Sequence, residues 1–265
     1  MVRKESRYFE ITICCVILSC ALILAGCKLK KTGELGDKAR SEKKTGQLTK
    51  KLSQESKLEV VDANPYYVEI MGWLRVPFVV ENLGDSDVYD VTVVATAYNA
   101  EGKILGTISS DDKYRLAVSP EKVNPSRIEP GGKGYGVLCF GNIKDYTGIR
   151  FQVTATDKSE SFKEKELVIV EHSMTEEKYQ SGKGTGTKKT VLGTVKNDTN
   201  ERVSNVIISV AGFDKAGKIV DLAEDKAEID EISPGSTSPF SIDFEENRPI
   251  EKYKIVAVEA TDDSK

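Results

Sequence analysis

Cysteine is almost absent from the larger part of this chain. Four of its five cysteines lie within the first 27 residues, and Cys139 is the only one after them. The body of the protein therefore has no second cysteine with which to form an intrachain disulfide. Its stability must come from apolar burial and strand pairing, which a body of this length can supply.

Histidine is equally scarce, and this limits the chemistry that the chain can perform. His172 is the only histidine, so a metal cluster with histidine and cysteine spacing cannot be formed. We expect His172 to lie exposed at the end of a strand. Gly182–Lys188 is rich in glycine but lacks the spacing of a phosphate-binding loop, and we interpret it as a flexible connection between strands. We therefore predict no enzymatic activity and no cofactor.

Acidic residues in loops offer little more. Asp85–Asp87 and Asp111–Asp112 could present carboxylates to calcium, but neither segment fits an EF-hand loop. Paired carboxylates in loops are usually solvated, so we expect no metal site.

The net charge of −4 conceals a strong asymmetry along the chain. Residues 28–57 carry ten basic and four acidic side chains, whereas residues 58–265 carry 25 basic and 36 acidic ones. The basic segment has few apolar residues to bury and is predicted to be a flexible tether with a span of about 30 Å. Its charge favours either anionic lipid or wall polymer, or simple solubility.

The N-terminus has the pattern of a targeting segment. Arg3, Lys4 and Arg7 precede an uncharged run, Ile11–Gly26, which is shorter than the roughly 20 residues that span a bilayer comfortably. The run ends in Leu24, Ala25, Gly26 and Cys27. This ending resembles the lipobox of bacterial lipoproteins.

The resemblance implies that the thiol of Cys27 receives a diacylglycerol and that cleavage removes residues 1–26. The protein would then be lipid-anchored at the outer face of the bacterial cytoplasmic membrane. An uncleaved signal anchor is the alternative.

The body repeats itself. At a constant offset of 115 residues, the segment Val80–Leu105 matches Val195–Val220. Asn82 corresponds to Asn197, and the Gly-Lys-Ile that begins at Gly102 recurs 115 residues later. We predict two copies of one domain, at residues 58–164 and 165–265.

Each copy has the composition of strands and turns. Val88–Tyr98 is rich in β-branched residues, with apolar positions two apart, and it ends at Asn99–Gly102, a signature of a type I turn with a bulge. A Pro-Gly turn follows at Pro130 and again at Pro234. The predicted fold is all-β, with two tandem immunoglobulin-like antiparallel β-sandwiches after the leader and tether.

The pattern strand, Asn, strand, aromatic, Asx, x, x, Gly, Lys resembles the FxLYD family of small β-sandwich domains in bacterial and archaeal lipoproteins. The aromatic and Asx pair occurs as Tyr98-Asn99 and again as Phe213-Asp214. The resemblance implies a fold and a location, and it carries over no catalytic residue. Asn82 and Asn197 are expected to close turns rather than bind a ligand.

Some side chains are candidates for recognition. Tyr66 and Tyr67 follow Pro65, and the first copy carries about eleven extra residues within Ser110–Ile128. Insertions in a rigid sandwich often carry binding, although neutral loop drift is the alternative. The candidate binding residues are Tyr66, Tyr67, Tyr114, Arg115 and Arg127.

Two further residues have a predicted place. Cys139 alternates with Leu138 and Phe140, which puts it on the outer face of its strand. Trp73 is expected to pack in the core.

These observations predict a non-catalytic surface lipoprotein that binds or positions a protein or an envelope polymer. The expected partners are the membrane, through the lipid, and an envelope protein or wall polymer, with no nucleic acid. One alternative is an accessory protein of an envelope enzyme or transporter with a small-ligand pocket between the two domains. Another is a purely structural spacer.

Overall fold

The computed structural model of the chain describes residues 57–68, 72–111, 122–141, 143–158, 167–181 and 184–260. Every regular element in these ranges is a β-strand, which confirms the predicted all-β fold. None of the described residues belongs to a helix long and apolar enough to cross a membrane. The predicted leader and lipobox, the tether up to residue 56 and the junction between the copies lie outside the described residues.

Sixteen strands follow one another in the described ranges. The first eight are β1 Leu58–Ala63, β2 Tyr66–Val68, β3 Trp73–Asn82, β4 Val88–Tyr98, β5 Ile104–Ser109, β6 Arg127–Ile128, β7 Lys133–Gly141 and β8 Gly148–Thr156. The second eight are β9 Leu167–Ser181, β10 Gly184–Asn197, β11 Val203–Ser204, β12 Val206–Phe213, β13 Ile219–Lys226, β14 Glu231–Ile232, β15 Thr237–Asp243 and β16 Lys252–Ala260.

Each set of eight strands forms one sandwich with two main antiparallel sheets, and the second set has a separate two-stranded sheet as well. In the first sandwich, β3 pairs with β7 on one side and with β1 and β2 on the other, while β4 lies between β5 and β8 and also pairs with β6. In the second, β10 lies between β9 and β15, β12 lies between β13 and β16, and β11 pairs with β14. The strands β3, β4, β10 and β12 are therefore the central ones.

Alternation along the central strands builds the cores. Leu74, Val76, Phe78 and Val80 of β3 are fully buried and face the sheet of β4. Val206, Ile208 and Val210 of β12 do the same in the second sandwich. Each such side chain contributes about 1.5–3 kcal/mol on burial, so the two cores can hold the fold without covalent links.

The predicted hairpin turn is present in both copies. Gly102 has a φ of +78° and Gly217 a φ of +82°, values that glycine adopts without strain. The side-chain oxygen of Asn99 accepts hydrogen bonds from the backbone N–H groups of Glu101 (3.1 Å) and Lys103 (2.9 Å). The adjacent strands carry the expected bulge.

The paired asparagines close turns, as predicted. Asn82 is fully buried, and its amide donates to the carbonyls of Ser86 (2.8 Å) and Ile128 (3.0 Å) while its oxygen accepts from the N–H of Gly84 (3.0 Å). Asn197 makes the corresponding set of bonds in the second sandwich. A buried amide that satisfies these backbone groups explains why both copies carry asparagine here.

Two expectations about the start of the second sandwich are wrong. Gly184–Lys188 belongs to β10 and pairs with the end of β9, so it is not a flexible connection. His172 is exposed but lies within β9 rather than at its end, and its Nδ1 is 2.7 Å from the hydroxyl of Tyr253. Both errors arise because β9 and β10 form one long hairpin that continues past the point where the first copy breaks its strand.

Candidate functional site

The two sandwiches belong to one compact unit and share a third buried cluster. Val79 of β3 and Val137 of β7 lie on the outer face of the first sandwich. They pack against Ala211 of β12 and against Ile219 and Leu222 of β13, and all five side chains are buried. An outer sheet face of the first sandwich therefore packs apolar side chains directly against the second sandwich.

A buried ion-pair cluster lies beside this apolar patch. The guanidinium of Arg75 donates from Nη2 to Oδ1 of Asp221 (3.1 Å) and from Nη1 to Oε2 of Glu245. Tyr66 also donates its hydroxyl to Oε2 of Glu245 (2.9 Å). Arg75 and Tyr66 come from the first sandwich, and both carboxylates come from the second. The cluster therefore joins the two with charge-assisted hydrogen bonds.

Burial controls the protonation of this cluster. It raises the pKa of Asp221 above its usual range, because the loss of solvent outweighs the opposing attraction of Arg75. Although burial disfavours its charge, the carboxylate of Asp221 holds the pKa of Arg75 above its usual range. Burial also raises the pKa of Tyr66, whose ring lies 3.6 Å from the guanidinium carbon of Arg248.

The end of the first copy's insertion makes a second contact. Lys122 donates to Oε2 of Glu259 (2.6 Å), and Ser126 donates to the same carboxylate from its backbone N–H (2.7 Å) and its hydroxyl (2.8 Å). Asn124 donates to Glu224 (3.1 Å). Although burial would raise it, the Lys122 ammonium and the Ser126 donors lower the pKa of Glu259. We call Lys122–Ser126 the strap.

Aromatic and backbone contacts complete the boundary. The rings of Tyr135 and Phe213 meet edge-to-face with their centroids 6.2 Å apart, and the ammonium of Lys254 lies 5.6 Å from the Tyr135 centroid. Asp62 of β1 accepts a hydrogen bond from the N–H of Ile219 (3.0 Å). Polar contacts therefore surround the apolar patch.

The residues that make this contact differ between the two copies. At the offset of 115, Arg75 corresponds to Thr190 and Asp221 corresponds to Gly106. The first copy thus carries the cation on its β3 face, and the second carries the anion on its β13 face. Neither copy has both the cation and the anion. The ion pair therefore joins two different faces, and the contact between the sandwiches is heterologous.

The predicted binding residues are not brought together. Tyr66 lies in the ion-pair cluster, whereas Tyr67 is 41% exposed and its ring centroid is 5.6 Å from that of Tyr146. Arg127 of β6 donates to Asp87 (2.9 Å) within the first sandwich. Tyr114 and Arg115 lie outside the described residues, as do Leu24, Ala25, Gly26 and Cys27.

Cys139 lies on the outer face of β7, as its alternation predicts. That face is directed toward the second sandwich, where Cys139 packs beside the third cluster with intermediate exposure. In the register of the sheet it is directly opposite Arg75. Trp73, expected in the core, is only half-buried at the start of β3.

Sequence reasoning missed Arg75 and Asp221, the most deeply buried charges of the contact. A signal was available in each case. Arg75 interrupts the apolar run of β3 between Leu74 and Val76, and Asp221 interrupts β13 between two buried apolar residues. A single charge in a buried strand, absent from the other copy, indicates a partner of opposite sign.

In the ranges that the structure describes, no group of three or more histidine, cysteine, aspartate or glutamate side chains is placed to hold a metal ion. Of the carboxylates considered for calcium, Asp87 is instead paired with an arginine.

Comparisons with known proteins add little. No protein-family model and no curated protein matches the chain. Among solved structures, red sea bream transglutaminase matches with a TM-score of 0.22 and 11% identity, over 76% of this chain and 29% of that one. The chain thus spans less than a third of the length of that protein.

Proposed function

We propose that the chain is a non-catalytic lipoprotein, anchored through Cys27 outside the bacterial cytoplasmic membrane, that binds or positions a protein or an envelope polymer. Its body is a tandem of FxLYD-like sandwiches held in one relative orientation. The lipid and the basic tether would keep this body at the membrane surface, and the surfaces that the tandem leaves exposed would meet the partner.

The observation that supports a positioning role is the contact between the sandwiches. Arg75 and Asp221 are buried there, and the half-buried Glu245 and Tyr66 complete the cluster, across two faces that carry different residues in the two copies. Two domains that moved independently on a flexible linker would not require residues of complementary charge at their contact. A fixed orientation is useful to a protein that presents a surface to a partner at a defined distance from the membrane.

A small-ligand pocket between the domains would need a cleft at this place. The described contact is instead filled by apolar side chains, including Val137, Ala211 and Leu222, each no more than 1% exposed. We therefore do not propose the accessory-protein alternative at this contact.

Lipidation is tested by replacing the thiol that would carry the lipid. We expect Cys27→Ser to abolish incorporation of an alkyne-labelled fatty acid and to release the protein, in whole or in part, from the membrane fraction. Cys20→Ser is the matched control, since it removes a thiol from the same leader and should change neither readout. Equal labelling of the Cys27 and Cys20 variants would contradict the proposal.

The binding role is tested on cells that carry the anchored protein. Cross-linking from exposed positions of the sandwiches should yield a defined adduct with one envelope protein, or purified protein should co-sediment with isolated cell wall. If neither a protein adduct nor wall binding occurs at the natural expression level, the binding role is wrong.

A further inference from the structure

The strand β9 is an unusually long edge. It runs for 15 residues, against a typical strand length of about five or six, and within the described chain it pairs only with β10. Along its other side, alternate residues direct their backbone N–H and C=O groups away from the sheet. A long edge of this kind is a template for another strand.

The first copy does not leave the equivalent edge open. Its entry strand is divided into β1, of six residues, and β2, of three, with Pro65 between them. A register shift between Val60 and Asp62 distorts β1, and β9 has a corresponding shift at Val170, between Ile169 and Glu171. Proline has no N–H to donate, and bulges and breaks protect edges from pairing. Residues 167–181 contain neither proline nor glycine, and after the shift at Val170 the pairing of β9 with β10 continues in one register from Glu171 to Ser181. The second copy therefore retains a longer unbroken edge than the first.

Apolar side chains lie beside the start of this edge. Val168 is 44% exposed and Val170 57% exposed, and Leu192 on the neighbouring strand β10 is 41% exposed. By contrast, Leu167 and Ile169 of the same strand pack against the core. An added strand would therefore find apolar surface next to the unpaired backbone at the start of the edge, beside the shift at Val170.

The chemistry of an edge selects its occupant. A row of backbone donors and acceptors at strand spacing pairs with another polypeptide backbone, and a polysaccharide cannot reproduce that ladder. Several two-fold pairings of β9 with a second copy of itself are unfavourable. Two-fold pairings centred on Glu176, Glu177 or Lys178 would each set that charge against itself, which is unfavourable.

We propose that the free edge of β9 is a docking site for an extended segment of a partner protein with apolar side chains at alternate positions. The segment would add a fourth strand to the sheet of β9, β10 and β15. This inference rests on the proposed binding role and specifies it: the partner is a protein, and it is recognised through its backbone.

The test uses the full lipidated chain in mild detergent and a defined probe. The probe is a ten-residue peptide that alternates valine and lysine. A control peptide of the same charge has proline at every second valine, so it cannot form the ladder. Amide exchange along β9 is followed by NMR. We expect alternate amides of Thr175–Gln180 to exchange rapidly, and the probe, but not the control, to slow them at least tenfold.

Two valine variants test the apolar flank. Val168→Thr combined with Val170→Thr keeps β-branched residues in the strand, and we expect it to raise the Kd of the probe about tenfold without lowering the Tm. Val61→Thr is the matched control, because Val61 is a 39% exposed valine on β1 of the first copy. It should leave the Kd unchanged.

Each outcome decides the proposal. If the outward amides of β9 are already protected without a peptide, or if the probe protects no more than the proline control, the edge is not a docking site. If exchange slows only as the protein concentration rises, the occupant is a second copy and the proposal is wrong. Failure here, together with a cross-linked partner or wall binding on cells, would refute the β9 site and leave the proposed function intact.

Discussion

The buried ion pair between the sandwiches offers the sharpest perturbation. Replacing Arg75 by Met keeps a long apolar side chain but removes the cation that faces Asp221 and Glu245. Asp221 is 1% exposed, so the variant leaves a carboxylate buried without its counter-charge. We expect a loss of about 3–5 kcal/mol in the free energy of unfolding, the usual cost of removing one partner of a buried pair.

The same reasoning predicts a rescue. Adding Asp221→Asn to Arg75→Met neutralises the stranded carboxylate, while the amide oxygen can still accept from one of the backbone N–H groups that Asp221 now holds, those of Leu222 and Glu245. We expect the double variant to recover more than half of the loss. The single variant Asp221→Asn should be milder than Arg75→Met, since an arginine reaches solvent more easily than a short carboxylate.

The assays are urea denaturation and thermal denaturation, each followed by tryptophan fluorescence and far-UV circular dichroism. For a unit of this size a loss of about 3–5 kcal/mol lowers the Tm by roughly 6–20 °C. A loss below about 1 kcal/mol for Arg75→Met, or a double variant no more stable than the single one, would refute the view that this pair holds the sandwiches together.

Three further predictions concern the strap and the turns. Glu259→Gln should remove the acid sensitivity of the contact. Because the pKa of Glu259 is lowered in the folded state, its carboxylate stabilises the protein above its unfolded pKa of about 4.3, and this stabilisation is lost as the pH falls through the folded pKa. Urea denaturation at several pH values should show that the native protein and the variant differ less in free energy of unfolding in acid than at neutral pH, and a difference that does not change with pH would contradict the strap. Asn82→Ala and Asn197→Ala should each lower the free energy of unfolding, measured in urea, by about 1–3 kcal/mol, because buried backbone groups lose their hydrogen-bond partners. A loss near zero in either copy would contradict the shared turn. Gly102→Ala should cost about 1 kcal/mol from its positive φ alone, since open space surrounds the new methyl group; no cost would show that the turn relaxes.

The repeated turns and cores could be predicted because their causes are local. The Asn99 and Gly102 turn follows from the φ that glycine tolerates, and the alternation of β4 follows from a sheet with one buried face. Both copies carry these signals at the same positions, so the sequence of each copy supports the interpretation of the other.

The contact between the copies could not be predicted in the same way. It depends on which outer face of one sandwich meets which outer face of the other, and alternation gives no information about that. A comparison of the copies for differences, rather than for matches, would have singled out Arg75 and Asp221. The length of β9 was also missed, because glycines in Gly182–Lys188 suggested a loop where the ladder with β10 continues.

The most direct test of the account is whether the two sandwiches tumble as one body. Residual dipolar couplings of the backbone amides of β1–β8 and β9–β16 measure the alignment of each sandwich separately. We predict that one alignment tensor fits both sets in the native protein and that Arg75→Met separates them. Two tensors of different magnitude or direction in the native protein would contradict a fixed contact.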